Sequence, residues 1–357
     1  MFHGRNQTTT GLLAAVLLSI PAGLAAQPEK PPPIAGHVIY AQDGKVWSLD
    51  VATQDPPQEL ATLPEGAVVQ MMESNPAGTL IAMHIEGQTL WLIKGKLSPT
   101  SCEGKGRPSP AGECLACETA TGTTLVAAGD ATFLRKLPAD LHDVGFKGGR
   151  ADELIARGAE GVVAFSPATP GRRKVVATSG AKSHLVIAPD GSRGAAIFGD
   201  GETSRIFSFA LDGTGVPRQL GGPGWPVVWA PDSAWVLIQE GLLPGDDDEG
   251  GAFLDGGEPA DARFFLAAKG KAKKPKKKKK DDAPSRRLLD ERACAAKAVG
   301  GEEKCWNGYQ AIAFSPDVSR VLIGREGELS VGLINGVKAE RPKKIIEKAD
   351  PGATWIP

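Results

Sequence analysis

The chain has 357 residues, a formal net charge of −1 and 41% hydrophobic residues, a make-up that excludes a chain too polar to bury a core. Its 45 glycines and 28 prolines imply frequent turns. Amphipathic helical stretches are scarce, so a helical bundle is excluded; the apolar runs are short, rich in Val, Ile and Leu, and bounded by Gly, Pro and Asp, as strands are.

In chain order, residues 1–26 come first as an expected secretory signal. Gly11 to Ala26 reads GLLAAVLLSIPAGLAA behind Arg5, with small residues before a cleavage point after Ala26. The run is too short and too broken by Pro and Gly for a comfortable membrane span. An uncleaved N-terminal anchor is the alternative; no Cys follows to carry a lipid. Residues 27–33 (QPEKPPP) form a stiff Pro-rich linker, and residues 34–357 are read as the folded domain.

That domain repeats itself. HDVGFKGGRADELIARG from His142, HLVIAPDGSRGAAIFG from His184 and PVVWAPDSAWVLIQEG from Pro226 superimpose with Gly149, Gly191 and Ser233 spaced 42 apart. AIAFSPDVSRVLIGREG puts the same position at Val318, 85 residues on, and MMESNPAGTLIAMHIEG puts it at Gly78, 71 residues before Gly149. Both intervals read as one period plus an insertion. A period near 42 with several short strands per unit marks a β-propeller. The clearest unit supplies strands HLVIA (a), GAAIF (b), RIFSFA (c) and PRQL (d). Ser166-Pro167 resembles the a–b turn but falls after strand c of the preceding unit.

The ends bear on the number of blades. HVIYAQ, KVWSLD and PQELAT read as strands b, c and d lacking an a. Trp355-Ile356-Pro357 matches Trp229-Ala230-Pro231, 126 residues earlier. The last strand is therefore expected to complete the first blade, which removes an exposed sheet edge. The fold class read from the sequence is all-β: a six-bladed propeller closed by a C-terminal strand joining the N-terminal blade. In the turns, Pro fixes φ and Asp accepts backbone N–H groups, so Asp190, Asp232 and Asp317 are structural on this reading.

The units APDGSRGAAIF, APDSAWVLI and SPDVSRVLI resemble the Pro-Asp propeller repeats of the TolB family. The resemblance covers about 34–357, strongly in three blades. Asn-Pro-Ala-Gly in the second blade and Phe-Lys-Gly-Gly in the third depart from the pattern, and no segment resembles the family's separate N-terminal α/β domain. The resemblance implies a periplasmic binding scaffold and leaves the partner open.

Individuality lies in two expected insertions, about 97–121 and 243–308. They hold all five cysteines, Cys102, Cys114, Cys117, Cys294 and Cys305. In an exported chain disulfides are the expected state. Cys294 and Cys305 are the natural pair; Cys102 pairs with Cys114 or Cys117, leaving one thiol over. Cys114-Leu-Ala-Cys117 has redox and zinc readings, but no helix N-terminus to activate the thiol and no nearby fourth ligand. The second insertion carries Asp246-Asp247-Asp248-Glu249, a poor match to a calcium loop, and KGKAKKPKKKKK from Lys269 to Lys280. The lysines read as a solvated loop, or as a site for a polyanion in which Lys276, Lys277, Lys278, Lys279 and Lys280 make the contacts. Interleaved aromatics for stacking on bases are missing.

No nucleotide-binding, serine-hydrolase or metalloprotease motif occurs. His142 and His184 are aligned by the repeat at the start of strand a; packing at the blade edge and a two-His metal site at the channel mouth are the alternatives. Trp225 and Trp306, near blade junctions, read as core, with a stacking platform for carbohydrate or peptide as the other reading. The functional expectation is an exported, non-catalytic propeller without a cofactor, binding a protein or an envelope component. A polyanion-binding propeller and a metal-dependent site at the mouth are the alternatives. Oligomeric state is left open.

Overall fold

The computed structural model describes residues 36–53, 55–93, 95–128, 133–148, 150–178, 181–199, 203–221, 224–240, 263–266, 310–333 and 342–357. Ile34–Pro357 is one compact unit. Among its described residues every regular element of any length is a strand, and the strands pair in chain order into short antiparallel sheets.

The first sheet holds β1 (His37–Gln42), β2 (Lys45–Asp50) and β3 (Gln58–Thr62). The second holds β4 (Met71–Ser74), β5 (Leu80–Ile85), β6 (Gln88–Ile93) and β7 (Lys96–Pro99). The third holds β8 (Lys105–Pro108), β9 (Cys114–Thr119), β10 (Gly122–Ala127) and β11 (Phe133–Lys136). The fourth holds β12 (His142–Lys147), β13 (Arg150–Gly158), β14 (Gly161–Phe165) and β15 (Arg173–Thr178). The fifth is β16 (Ala181–Ile187), β17 (Arg193–Phe198), β18 (Arg205–Ala210) and β19 (Arg218–Gly221). The sixth shows β20 (Gly224–Trp229), β21 (Val236–Glu240) and β22 (Arg263–Leu266). The seventh is β23 (Gln310–Phe314), β24 (Arg320–Arg325), β25 (Glu328–Leu333) and β26 (Lys343–Ile346).

The last strand, β27 (Ala353–Ile356), leaves the seventh sheet and pairs antiparallel with β1, His37 opposite Ile356 and Val38 opposite Trp355. The C-terminal strand therefore completes the N-terminal blade. The inner strands follow one another around a ring: β27 packs beside β4, β4 beside β8, β12 beside β16, β16 beside β20, β20 beside β23, and β23 beside β27, while β9 and β12 join the third and fourth sheets.

Each junction has its own apolar core. Ile39 and Val46 meet Ile81 and Met83 between the first and second blades. Leu80 and Trp91 meet Leu115 and Val126 across the next junction, and Leu125 meets Phe146 and Leu154 across the one after. The ring continues through Ile155 with Leu185 and Phe209, Ile206 with Trp229 and Ile238, and Leu237 with Phe314 and Ile323. Tyr40 and Trp355 on Leu322 and Leu329 close it. Alternation along each strand sends one set of side chains to the preceding blade and the other to the following one, which is why both faces are apolar.

The described residues thus form seven sheets where the sequence reading expects six. The difference lies at Lys105–Lys136. The segment from about 97 to 121 is not an insertion: β7 already completes the second blade, and β8 and β9 begin a third. Its turn, Ser109-Pro110-Ala111-Gly112, repeats the Asn75-Pro76-Ala77-Gly78 turn 34 residues earlier, but carries no Asp. Two short repeats together span an interval that imitates one period with an insertion.

The turn itself is the same in five blades. The N–H groups of Gly78, Gly112, Gly191, Ser233 and Val318 donate to the carbonyls of Asn75, Ser109, Ala188, Ala230 and Ser315, at 2.8–2.9 Å. All five donors have positive φ. Where Asp is present it does what the sequence reading expects: Asp190, Asp232 and Asp317 accept from the N–H groups of Ser192, Ala234 and Ser319. Where the first turn residue is Asn75, Ser109 or Ser315, its side chain accepts the N–H five residues on, and the Ser315 turn uses both acceptors. In the fourth blade the positive φ falls on Gly148, one residue before the expected position.

Candidate functional site

The inner strands of the third to sixth blades begin at one end of the ring, the channel mouth. Three of them are distorted: β20 has one extra residue, Val227, between the Pro226 and Val228 pairs, and β12 and β16 are bulged likewise. On β12, Asp143 and Val144 lie opposite the single residue Ala156, and on β16, His184 and Leu185 lie opposite Ala196. These are β-bulges, which turn a side chain away from the regular alternation. Asp143 and His184 each adopt positive φ, 51° and 57°. Asp143, not His142, is therefore the conformational counterpart of His184; His142 lies in the regular ladder opposite Arg157.

Around these bulges, polar side chains of neighbouring blades are tied together. Arg107, on β8, reaches across the channel: its Nε lies 3.4 Å from Glu73 of β4, and its Nη1 donates to the carbonyls of Val144 (3.4 Å) and Leu185 (3.2 Å). One guanidinium thereby links the inner strands of four blades. It is deeply surrounded, yet its side chain is 32% exposed because it borders the channel. Burial opposes its charge, but Glu73, Asp143 and Glu118 prevail and hold the guanidinium pKa above its usual value.

Glu118, at the end of β9, accepts the N–H of Asp143 at 3.0 Å and lies 3.8 Å from His142 Nδ1. The Asp143 carboxylate accepts from Arg157 Nε at 3.1 Å. Gly145, just past the bulge, packs closely on the fifth blade: a Cβ there would meet Ile187 Cδ1 at 2.6 Å and displace that side chain. His184 stacks at a tilt on Trp225, centroids 6.3 Å apart, and its Nδ1 lies 2.9 Å from Ser183 Oγ. Burial pushes the His184 pKa down; Asp143 opposes this, while Lys105, Arg157 and Arg107 add to it.

The histidines and Trp225 singled out in the sequence meet here. The charged members Lys105, Arg107, Glu118, Asp143 and Arg157 do not stand out in the sequence. Lys105, Arg107 and Glu118 lie in the stretch read as an insertion, and Asp143 in a blade without Pro-Asp. The remaining signal was Glu118 itself, a carboxylate following an otherwise apolar CLAC. Among the described residues no group of three or more His, Cys, Asp or Glu side chains is arranged to hold a metal ion.

The cysteine expectations resolve in part. Cys102 is bridged to Cys117, and Cys114 is a buried free thiol. Both Cys114 and Cys117 lie on blade strand β9, contrary to the expectation that no cysteine sits in a blade. Three residues apart on a strand, they point to opposite faces: Cys117 packs with Cys102 against the second blade, Cys114 against the fourth. A redox or zinc role for the C-x-x-C is removed by that geometry, and burial raises the Cys114 pKa. Cys294, Cys305, Trp306, Lys269–Lys280 and Asp246–Glu249 lie outside the described residues.

Fold and mouth together define a β-propeller with a polar, cross-braced channel entrance. No protein-family model matches the chain, and no curated protein does. Solved structures similar to it include TolB from Acinetobacter baumannii, with 11% identity, 92% of this chain and 68% of that chain covered and a TM-score of 0.45. A functionally unknown protein from Desulfotomaculum acetoxidans has 12% identity, coverage of 90% and 99% and a TM-score of 0.48. A chain of a nidogen/laminin complex has 9% identity, coverage of 90% and 98% and a TM-score of 0.41. At these values the likeness is one of overall architecture, and the assignment of the fold rests on the chain's own sheets.

Proposed function

We propose that this chain is an exported, non-catalytic binding propeller that engages a protein or cell-envelope component at the channel mouth. The observation that carries the reading is the bracing of that mouth. Arg107, Glu118, Asp143 and Arg157 are fixed by one another and by backbone groups of adjacent blades, as a preorganised recognition surface is. Their bonds are to one another rather than to an open reacting centre, which favours binding over turnover. Among the described residues no helix is long and apolar enough to cross a membrane.

The test is site-specific crosslinking from position 142, whose side chain is 44% exposed, in the native envelope. A discrete adduct absent from a control with the crosslinker on the outer strand, at Lys136, supports the reading; identical adducts from both positions overturn it. Deleting residues 269–280 in parallel separates it from the polyanion alternative, which expects the adduct to vanish and binding to fall steeply with salt. N-terminal sequencing of the mature chain tests export, with Gln27 expected as the first residue.

A further inference from the structure

The third blade ends on a strand unlike its counterparts. The outer strands β3, β7 and β26 each turn some side chains inward, whereas all four of β11, Phe-Leu-Arg-Lys, are exposed. Phe133 and Leu134 are 60% and 51% exposed, adjacent apolar residues on a free sheet edge. The edge is also irregular. Leu134 is the extra residue between the Val126–Phe133 and Leu125–Arg135 pairs, so its N–H and C=O are left out of the ladder. The Leu137 N–H donates inward to the Thr123 carbonyl, and by alternation the N–H and C=O of Lys136 point outward. Arg135 reaches the fourth blade and donates to the carbonyls of Pro167 and Ala168, which fixes the strand in place. The Lys136 ammonium has no partner among the described residues.

Charge decides what could cover this edge. β10 and β11 carry Arg135 and Lys136 and no carboxylate. A second copy would bring four positive charges into one short ladder, and pairing through both outward residues would set Arg135 directly against its own counterpart. A lipid surface would leave the outward backbone groups of Leu134 and Lys136 unused. An acidic strand meets both the charge and the backbone.

We infer that β11 is a docking edge for an extended acidic segment of another protein, which adds to the third blade as a fifth strand. The backbone of that segment takes up the outward groups of Leu134 and Lys136, its apolar side chains lie on Phe133 and Leu134, and a carboxylate meets the Lys136 ammonium. The Arg and Lys that favour this segment also discourage self-association. The edge is on the outer rim, apart from the mouth, and does not rest on the reading given above.

Three blocked peptides test this: Thr-Val-Glu-Val-Glu-Val-Thr, its counterpart with Lys for Glu, and a version with Pro for the central Val, which cannot complete the ladder. Each is titrated into the purified chain by calorimetry, and exchange of the Leu134 and Lys136 amides is followed in parallel. The acidic peptide is expected to bind about tenfold or more tightly than the other two and to slow both amides. Phe133→Ser combined with Leu134→Ser should abolish binding, and Lys136→Glu should remove or reverse the preference for the acidic peptide. All three positions are exposed, and thermal melting checks that the variants fold. Equal binding of the three peptides, binding of none, or a preference unchanged in Lys136→Glu overturns the inference. So does a dimer in sedimentation that the double serine variant dissolves, which assigns the edge to a second copy. Adsorption to phosphatidylglycerol vesicles that the same variant loses assigns it to lipid and overturns the inference as well. Crosslinking from position 142 reads the mouth alone, so the two proposals fail separately.

Discussion

One turn position shows how neighbours decide what a residue must be. Gly191, Ser233 and Val318 share positive φ and the same turn bond, yet differ in side chain. At Gly191 the adjoining turn lies so close that a Cβ would sit 2.2 Å from the Gly148 nitrogen. Gly191→Ala is therefore expected to cost at least about 2 kcal/mol in urea unfolding. Ser233 has room, and its hydroxyl accepts the Asp190 N–H, fastening the fifth blade's turn to the sixth. Val318 has room but no such use, and a β-branched residue at φ 59° is strained. Val318→Gly should raise stability by about 0.5–1 kcal/mol, less whatever packing is lost. Asp350 is a second local case. Burial raises its pKa, the Val69 N–H bond opposes, and Asp43 adds to the rise. Its charged form is thus disfavoured in the folded protein, so this contribution to stability is present at acid pH and lost as pH rises through the raised value. Asp350→Asn should melt higher than wild type at neutral pH, with the advantage shrinking as pH falls through the raised value and gone below about pH 4, the usual carboxylate range.

The elements divide into those that announced themselves and those that did not. Blades carrying Pro-Asp were legible because the turn needs a fixed φ and a side-chain acceptor, and few residue types supply both. The third blade was hidden because Ser109 Oγ meets that need from the other end of the turn, so Pro110-Ala111 suffices. Its short β8 (KGRP) lacks the apolar alternation of an inner strand, since Arg107 spends its length crossing the channel. The bulges were equally invisible: they depend on pairing between strands, which displaces the alignment by one residue and puts Asp143 where His142 was expected. The bridge from Cys102 to Cys117 anchors the start of this weakly patterned blade. It closes a span of 15 residues, for which chain entropy gives about 3 kcal/mol. Cys102→Ala combined with Cys117→Ala should lower stability by up to that amount. Cys114 should stay unreactive towards thiol reagents until the protein unfolds, and reduction should not yield a Cys114–Cys117 bridge.

For the whole molecule, the inner strands are held by few polar ties, and Arg107 supplies several of them. Arg107→Met removes the partner of Glu73 and two carbonyl contacts. It should cost about 1–3 kcal/mol, kept modest by the solvent that reaches the channel. It should also weaken ligand binding at the mouth by releasing the bulges. The closing junction is apolar instead. Trp355 is buried with Tyr40, Leu322 and Leu329, and Trp355→Ala should cost about 3–5 kcal/mol by equilibrium unfolding. Trp229, its counterpart, donates its indole N–H to Val186, whereas the buried Trp355 indole nitrogen has no protein partner. Trp355→Phe is therefore expected to be tolerated better than Trp229→Phe.

That junction also governs how the protein comes apart and forms. Val38 and Trp355 are neighbours in one ladder though on the order of 300 residues separate them along the backbone. Joining points so distant adds little to the equilibrium cost, because closure entropy rises only with the logarithm of length, but it postpones their meeting until nearly everything between has been ordered. The seam should be the last contact made and the first to open, so hydrogen exchange ought to reach the amides of Val38 and Thr354 before those of Ile155 or Leu322.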